Sequence, residues 1–557
     1  MAGGSVVIGV TPPYPADMDR VVAATVGVTS AGLGVAAGQL VAALTAPASA
    51  PILAVGASVV DLTPQGAREF AIRTFGASDK LVLTIGILVV AAALAAVAGL
   101  VGARSRPGGL AFVAVLGVVL VLAAASRPAA GSLAMLPGLV AALVGGIVLM
   151  AQLHWVDLRP SPPSAEPAPA VRSRDRRLPA VRVAPDAAAG VDRPGPAGVR
   201  VDRRAFFAGS AGLAAGAGLL AWAGSALAPG TSLAPGGASA PHPVVLPPVA
   251  SPPPPLPAGL ETSVPGVTPL VTPIGDFYRV DTALSVPTPD PATWKLTIGG
   301  RVGHPYSLTM ADLLAMPLVE RDITLTCVSN PVGGPYCGST RWTGVLVADL
   351  LRRAAPDLAA DMVLSRSVDG FTASTPLAVL LDGRDAMIAV AMDGKPLTPT
   401  HGAPARLVTP GLYGYVGATK WLSELRLTTF AADRAYWTNR GWADHAPVKT
   451  AARIDTPTGM VRPGQQPIAG VAWATHRGIG RVEVQVDQGP WQEATLGPDV
   501  GLDYWRQWYF PWDAPPGRHT LRARAYDASG QVQTAEVADV LPDGATGYPV
   551  VNVEVRS

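Results

Sequence analysis

The stretch Ile323-Thr-Leu-Thr-Cys-Val-Ser-Asn330 alternates apolar and polar residues up to Cys327, so it reads as a half-buried β-strand ending at a thiol. Cys327 is one of only two cysteines in 557 residues; the other is Cys337. Two cysteines exclude a disulfide scaffold and a zinc site built from four thiolates. A lone thiolate at a strand end suits a soft metal, and otherwise reads as a small buried apolar side chain. Downstream, His401-Gly-Ala-Pro-Ala-Arg406 and Lys420 supply an imidazole, a planar guanidinium fork and a point charge, which together can hold an anion beside it.

Outward from this segment the chain changes character. A formal net charge of +2 gives no bulk attraction to nucleic acid, which is not an expected partner. Four apolar stretches, roughly 21–44, 81–102, 110–125 and 131–153, read as membrane spans, since a bilayer core takes about 20 apolar residues. The third is short, and the apolar run 51–60 is too short to cross. Arg104 and Arg106 mark one cytoplasmic loop, and ten arginines mark the stretch 158–204 as another. Asp202-Arg203-Arg204-Ala-Phe-Phe then precedes an apolar run, 205–228. This is either a fifth span with ordinary positive flanks or an internal twin-arginine export signal. Both readings place the remainder outside the cytoplasm, and the second exports it already folded. His154 is the only histidine before residue 242, and no Cys-x-x-Cys-His occurs, so no haem is expected. The spans therefore read as an anchor in membrane lipid rather than an electron conduit.

The expected order is a multidomain chain. It runs from a helical transmembrane domain, 1–157, through an Arg/Pro-rich cytoplasmic linker, 158–204, to the fifth span, 205–228. A Pro-rich semi-rigid spacer, 229–262, follows, then an α+β domain, 263–452, and an all-β sandwich of immunoglobulin type, 453–557. In the α+β part, Trp294–Gly300 and Asp322–Cys327 read as strands, and Ser307–Leu314 and Val345–Arg352 as helices. In the tail, Arg481–Asp487 and His519–Asp527 alternate cleanly and meet turns.

Four passages then go together. They are Phe277-Tyr-Arg279; Thr326-Cys-Val-Ser-Asn330 with Arg341-Trp342-Thr-Gly-Val345; Met392-Asp-Gly-Lys-Pro-Leu with His401–Arg406, Pro410-Gly411 and Lys420-Trp421; and, in the tail, Gly470-Val-Ala-Trp473, Val482-Glu-Val484, Trp491 and Trp505-Arg506. On these, residues 263–557 resemble the sulfite oxidase family of molybdenum enzymes. The resemblance implies a molybdopterin-binding fold in which Cys327 is the metal's protein ligand and a catalytic group. It implies that His401, Arg406 and Lys420 contact the cofactor, with Asn330 and Trp342 in the same pocket. Arg279 matches an arginine facing an oxyanion substrate, Arg506 a second one contributed by the sandwich, and Tyr413 or Tyr415 a hydrogen-bond donor near the metal. Two departures stand out: Pro331 and Val332 replace arginines, and Val280-Asp281 replaces an Asn-His pair.

The implied activity is oxygen-atom transfer to or from a small sulfur-containing anion. Electrons would leave to a separate carrier such as a cytochrome or a quinone-linked protein, and a homodimer would form through the sandwich. Reduction of a sulfoxide on the same fold is the alternative enzyme, and a cell-envelope binding protein is the alternative without catalysis. The location expected is the cell membrane, multi-pass, with the catalytic domains on the extracytoplasmic side.

Overall fold

The computed structural model describes residues 20–45, 49–64, 67, 70, 79–127, 132–157, 208–213, 215–219, 244–249 and 252–556. The linker 158–204 with Arg203-Arg204, most of the fifth span and residues 229–243 of the spacer lie outside the described residues. The chain divides into two units, Met1–Ala228 and Pro229–Ser557.

The first unit contains helices α1 (Arg20–Thr45), α2 (Pro51–Leu62), α3 (Asp79–Arg104), α4 (Arg106–Ala125) and α5 (Leu136–Asp157). All but α2 are long and apolar enough to cross a membrane. The third span is longer than its apolar run suggested. Ser105 caps α4, its side chain accepting from the Gly108 N–H, and Pro107 fits the first turn, so the helix starts ahead of the apolar residues. Small residues let the helices close in: a Cβ on Gly27 would lie 1.9 Å from the Ala95 carbonyl oxygen of α3. Between α1 and α5, Gln152 Nε2 donates to Ser30 Oγ at 3.1 Å, and its Oε1 lies 3.0 Å from the Thr29 hydroxyl. Arg127 pairs with Asp61 at 2.9 Å and so ties the end of α4 to α2.

The second unit carries four sheets. The first has the order β2-β1-β10-β5-β6, made from Tyr306–Thr309, Lys295–Gly300, Leu422–Thr428, Met362–Ser367 and Thr372–Pro376. The second has the order β3-β4-β7-β8, from Val319–Thr326, Cys337–Leu346, Met387–Met392 and Lys395–Pro396, with β9 (Arg406–Val408) also pairing β7. Strand β7 is buried along its whole length, which is why Met-Ile-Ala-Val-Ala-Met reads as an unbroken apolar run. Its Ile388 and Val390 join the main core with Leu296, Ile298, Leu350 and Leu425. On its other face Met387, Ala389 and Met392 pack with Phe277, Ile323, Leu325 and Trp342. Each fully buried large apolar side chain contributes about 1.5–3 kcal/mol, so this shared strand is the mechanical centre of the domain.

Two local readings are corrected. Residues 306–309 form strand β2, and helix α6 begins at Met310, held by a capping box between Thr309 and Asp312. Likewise Val345 and Leu346 finish β4, and helix α7 spans Val347–Ala354. In both places a strand turns directly into a helix, and apolar spacing alone does not mark the switch. The expected free spacer also ends early. Val244, Leu246 and Val249 pack against the main core, and Arg341 donates to the Pro254 carbonyl at 2.8 Å.

The tail forms two sheets around one core. One has the order β11 (Ala451–Thr456), β13 (Gly464–Trp473), β17 (Arg506–Ala514), β16 (Thr495–Leu496), and the other β12 (Gly459–Val461), β19 (Val550–Val555), β18 (Gly517–Asp527), β14 (Ile479–Val486), β15 (Gln492–Glu493). Trp508, Ile468, Val482 and Leu521 fill the space between them. A separate apolar seam of Leu270, Val328, Cys337, Tyr413, Trp473 and Trp505 joins this tail to the α+β part.

Candidate functional site

Strand β3 delivers Cys327 one residue beyond its end. The loop that follows is closed by the Cys327 N–H donating to the Tyr336 carbonyl at 2.9 Å and the Asn330 N–H donating to the Cys327 carbonyl at 3.1 Å. The Asn330 side chain braces the same loop, its Oδ1 accepting the Tyr336 N–H at 2.9 Å. Both cysteines are buried and unpaired. Burial pushes the Cys327 thiol up, while the Ser329 N–H and hydroxyl and the Lys420 charge favour its thiolate and pull it back. Cys337 sits in the apolar seam, is pushed up to about 11 by burial, and has its sulfur 3.3 Å from the Thr326 hydroxyl. The Thr326 hydroxyl and the Arg453 charge offset part of that rise, but Cys337 is enclosed by apolar side chains, whereas Cys327 lies near Lys420.

Arg406 opens strand β9, opposite Ala389 of β7. Only 7% of it is exposed. Its terminal nitrogens donate to the His401 carbonyl at 3.2 Å and the Ala418 carbonyl at 3.3 Å, and Nε has no partner. No carboxylate pairs with it among the described residues, and burial alone pulls its pKa down to about 10. Its guanidinium lies 5.1 Å from the ring centroid of Trp342. Trp342 is fully buried and donates to the Ile323 carbonyl at 3.2 Å, so it supports Arg406 from beneath.

His401 closes a short 3₁₀ turn, and its Nε2 lies 3.0 Å from the Ile274 carbonyl. A carbonyl only accepts, so Nε2 carries the proton and Nδ1 keeps its lone pair. Burial first, then the charge of Arg406, pulls this histidine down to about 4, and it is neutral at neutral pH. Its one N–H is spent on Ile274. The remaining nitrogen suits an N–H of a ring better than the phosphate oxygen expected from sequence. Lys420 is brought against this turn by Gly402 (φ +101°), where a Cβ would lie 2.9 Å from the lysine Cβ. Its Nζ donates to Asp281 Oδ2 at 2.7 Å and to the Thr400 carbonyl at 3.2 Å. Arg279 Nε donates to the same Asp281 oxygen at 3.1 Å.

The structure thus gathers Cys327, Arg279, His401, Arg406 and Lys420 around one cleft, and each of the three cations bears on His401. It does not bring Arg506 there. Trp505 faces the apolar seam, and the next residue of the extended chain points away from it. Arg506 instead pairs with Asp499 at 2.6 Å and donates to the Gly497 carbonyl at 2.9 Å, within the tail. Tyr413 is buried in the seam, pushed up to about 12 by burial, with its hydroxyl 3.5 Å from the Lys449 N–H. Tyr415 donates to the Ala443 carbonyl at 2.6 Å.

Sequence reasoning missed Tyr278 and Ser329. Tyr278 stacks on Phe277 at 5.4 Å, and its hydroxyl is pushed well up by burial and by the neighbouring Cys327. Its place between Phe277 and Arg279 was the available signal. A cavity next to the cleft, lined by Asn330, Pro331, Val332, Tyr413 and Trp473 among others, carries no charged side chain.

Among the described residues no cluster of three or more His, Cys, Asp or Glu could hold a metal ion. A metal beside Cys327 would therefore need donors from a bound cofactor. The residues fit an anionic one. A buried guanidinium with an orphaned Nε and no counter-charge costs several kcal/mol unless an anion completes it.

The comparisons point the same way. Residues 283–437 match the family described as oxidoreductase molybdopterin binding domain. The mitochondrial sulfite oxidase of Mus musculus is 28% identical over 308 residues, 46% of this chain and 56% of that protein. The chain thus spans little more than half the length of the mammalian sulfite oxidases it matches. An uncharacterised Bacillus subtilis oxidoreductase, YuiH, is 32% identical over 153 residues, which cover 28% of this chain and 74% of that protein. The sulfane dehydrogenase SoxCD of Paracoccus pantotrophus is a structural neighbour at TM-score 0.44 and 22% identity, covering 52% of this chain and 84% of that one. With a thiol, a neutral histidine and an uncompensated buried arginine meeting inside the matched segment or at its edge, the chain belongs to the sulfite oxidase family of molybdopterin-dependent oxidoreductases.

Proposed function

We propose that this protein is a membrane-anchored molybdenum-cofactor oxidoreductase that moves an oxygen atom to or from a small sulfur compound and passes electrons to a separate carrier. The observation that carries this reading is Arg406: buried, without a carboxylate among the described residues, its Nε orphaned, and acting on the same Tyr278 hydroxyl as Cys327. Cys327 would bind the metal, Arg406 and Lys420 the cofactor's phosphate, and His401 Nδ1 an N–H of its ring. When bound, the molybdenum cofactor supplies oxygen-atom transfer and one- or two-electron redox chemistry. Ser329 offsets part of the burial that raises the Cys327 thiol and so favours the thiolate that a metal would bind. Arg279, more than a third exposed at the cleft, orients the anionic end of the substrate. Tyr278, buried and close enough to Cys327 to feel its charge, would help keep water from the sulfur.

The four apolar helices anchor the protein. The Arg203-Arg204 segment would export the second unit folded and loaded, to the extracytoplasmic side, and the tail, as an immunoglobulin-like sandwich, would pair two copies. A second reaction, reduction of a sulfoxide, is favoured by the cavity at Pro331 and Val332, whose lining holds no cation for a sulfite dianion.

The test is molybdenum content and turnover of the full chain from a cofactor-competent host. About one molybdenum per chain and sulfite-dependent reduction of an artificial acceptor are expected. Oxidation of a reduced dye by a sulfoxide, without sulfite turnover, would move the assignment to the second reaction. Absence of molybdenum would overturn both.

A further inference from the structure

Asp281 is a carboxylate shared by two of the three cations of the cleft, Arg279 and Lys420. It is buried, with 4% of its side chain exposed, and a single oxygen, Oδ2, receives both Lys420 Nζ at 2.7 Å and Arg279 Nε at 3.1 Å. Lys420 is 10% exposed and Arg279 37%. The anchored Nε fixes the plane of the Arg279 guanidinium. Its two terminal nitrogens make no hydrogen bond among the described residues, so the fork is presented outward in one orientation.

The charge count decides what that fork can receive. Arg279, Arg406 and Lys420 bring three positive charges, and Asp281 removes one. A cofactor phosphate of about −2 would neutralise what is left. Nothing then remains to balance a second dianion, whereas one oriented guanidinium still serves a single oxyanion charge or a polar S–O group. The neighbouring cavity at Pro331 and Val332 adds no cation.

We propose that Asp281 is a specificity-determining residue: by sharing one oxygen between Arg279 and Lys420 it sets the substrate face for singly charged or neutral sulfur–oxygen compounds and against dianions. This rests on the reading of the cleft as an oxidoreductase site. It adds the charge class of the substrate and the residue that selects it.

The experiment measures binding of two unreactive probes, sulfate and methanesulfonate, to the full-length loaded protein by calorimetry. Wild type, Asp281→Asn and Asp281→Glu are compared, with molybdenum content determined for each. Removing one negative charge a few Å from the probe should tighten sulfate binding about tenfold and methanesulfonate binding about threefold. Asp281→Glu should restore both to within about twofold of wild type. Unchanged sulfate affinity in Asp281→Asn overturns the proposal. So does loss of molybdenum in Asp281→Asn, which would make the residue a support of the cofactor instead. In turnover, kcat/KM for sulfite relative to a neutral sulfoxide should rise in Asp281→Asn. If the wild type turns over neither compound, the functional reading fails, and the sulfate measurement still decides the role of Asp281.

Discussion

Two buried arginines, equally hidden, show how differently the cleft and the seam between the α+β part and the tail are built. Arg453 in the seam is 9% exposed and complete: Nε donates to Asp455 at 2.6 Å, and its terminal nitrogens reach Thr268 Oγ1 at 2.7 Å and the Gly334 carbonyl at 3.4 Å. Arg406 in the cleft is 7% exposed and incomplete, with two long bonds to carbonyls, an idle Nε and no carboxylate. The first arginine closes its own electrostatics and serves the fold. The second leaves a charge for something else to close, and a fold keeps such a group only where a ligand completes it.

The sharpest way to break this contrast is to remove each arginine. Arg406→Met should lower molybdenum content more than tenfold while leaving the cofactor-free protein as stable as before, or about 1–3 kcal/mol more so, because an uncompensated buried charge is gone. Metal analysis and denaturant unfolding read the two effects. A molybdenum content equal to wild type would erase the distinction. Arg453→Met should do the opposite. It strands Asp455 and costs about 3–5 kcal/mol, while molybdenum per folded chain stays unchanged.

Gly402→Ala probes the cleft's geometry without touching a charge. A positive φ of +101° and a Cβ 2.9 Å from that of Lys420 should cost about 1–3 kcal/mol and displace the lysine. Unfolding and metal content should fall together. The smallest effect belongs to a paired charge outside the cleft. Asp433 is held below the usual carboxylate range by its hydrogen bond to Arg426, at 2.8 Å, and then by Thr428. A depressed carboxylate stabilises above its unfolded pKa, and the benefit is lost as pH falls through the folded value. Asp433→Asn should therefore cost about 1 kcal/mol at neutral pH, and the difference from wild type should shrink in acid as the pH falls through the lowered folded-state value.

Much of this architecture could be read in advance, for reasons visible in particular residues. Four long apolar runs form helices close to where they are read, and strand β3 and the alternating β14 and β18 form within a few residues of their expected bounds. Residues 306–309 and 345–346 did not declare themselves, because a short strand feeding a helix keeps apolar residues at spacings both structures accept. In the cleft, residue type singled out Cys327, Arg406 and Lys420 as candidates, because their chemistry is unusual for a buried position. Arg506 was misplaced because spacing along a strand does not say which neighbour claims a side chain; Asp499 claims this one. Asp281 was noted only as a departure from an expected pair. Its bridging of two cations distant in sequence exists only once the fold brings Lys420 to it.

The bond pattern of Gln152 carries a consequence for how the helical unit is assembled. Its partners, Thr29 and Ser30, lie on α1, while Gln152 lies on α5, more than a hundred residues later. Both hydroxyls also reach carbonyls of their own helix, so α1 is complete without α5. The Gln152 carboxamide has no such local bond among the described residues, and its polar atoms are completed only when α5 packs against α1.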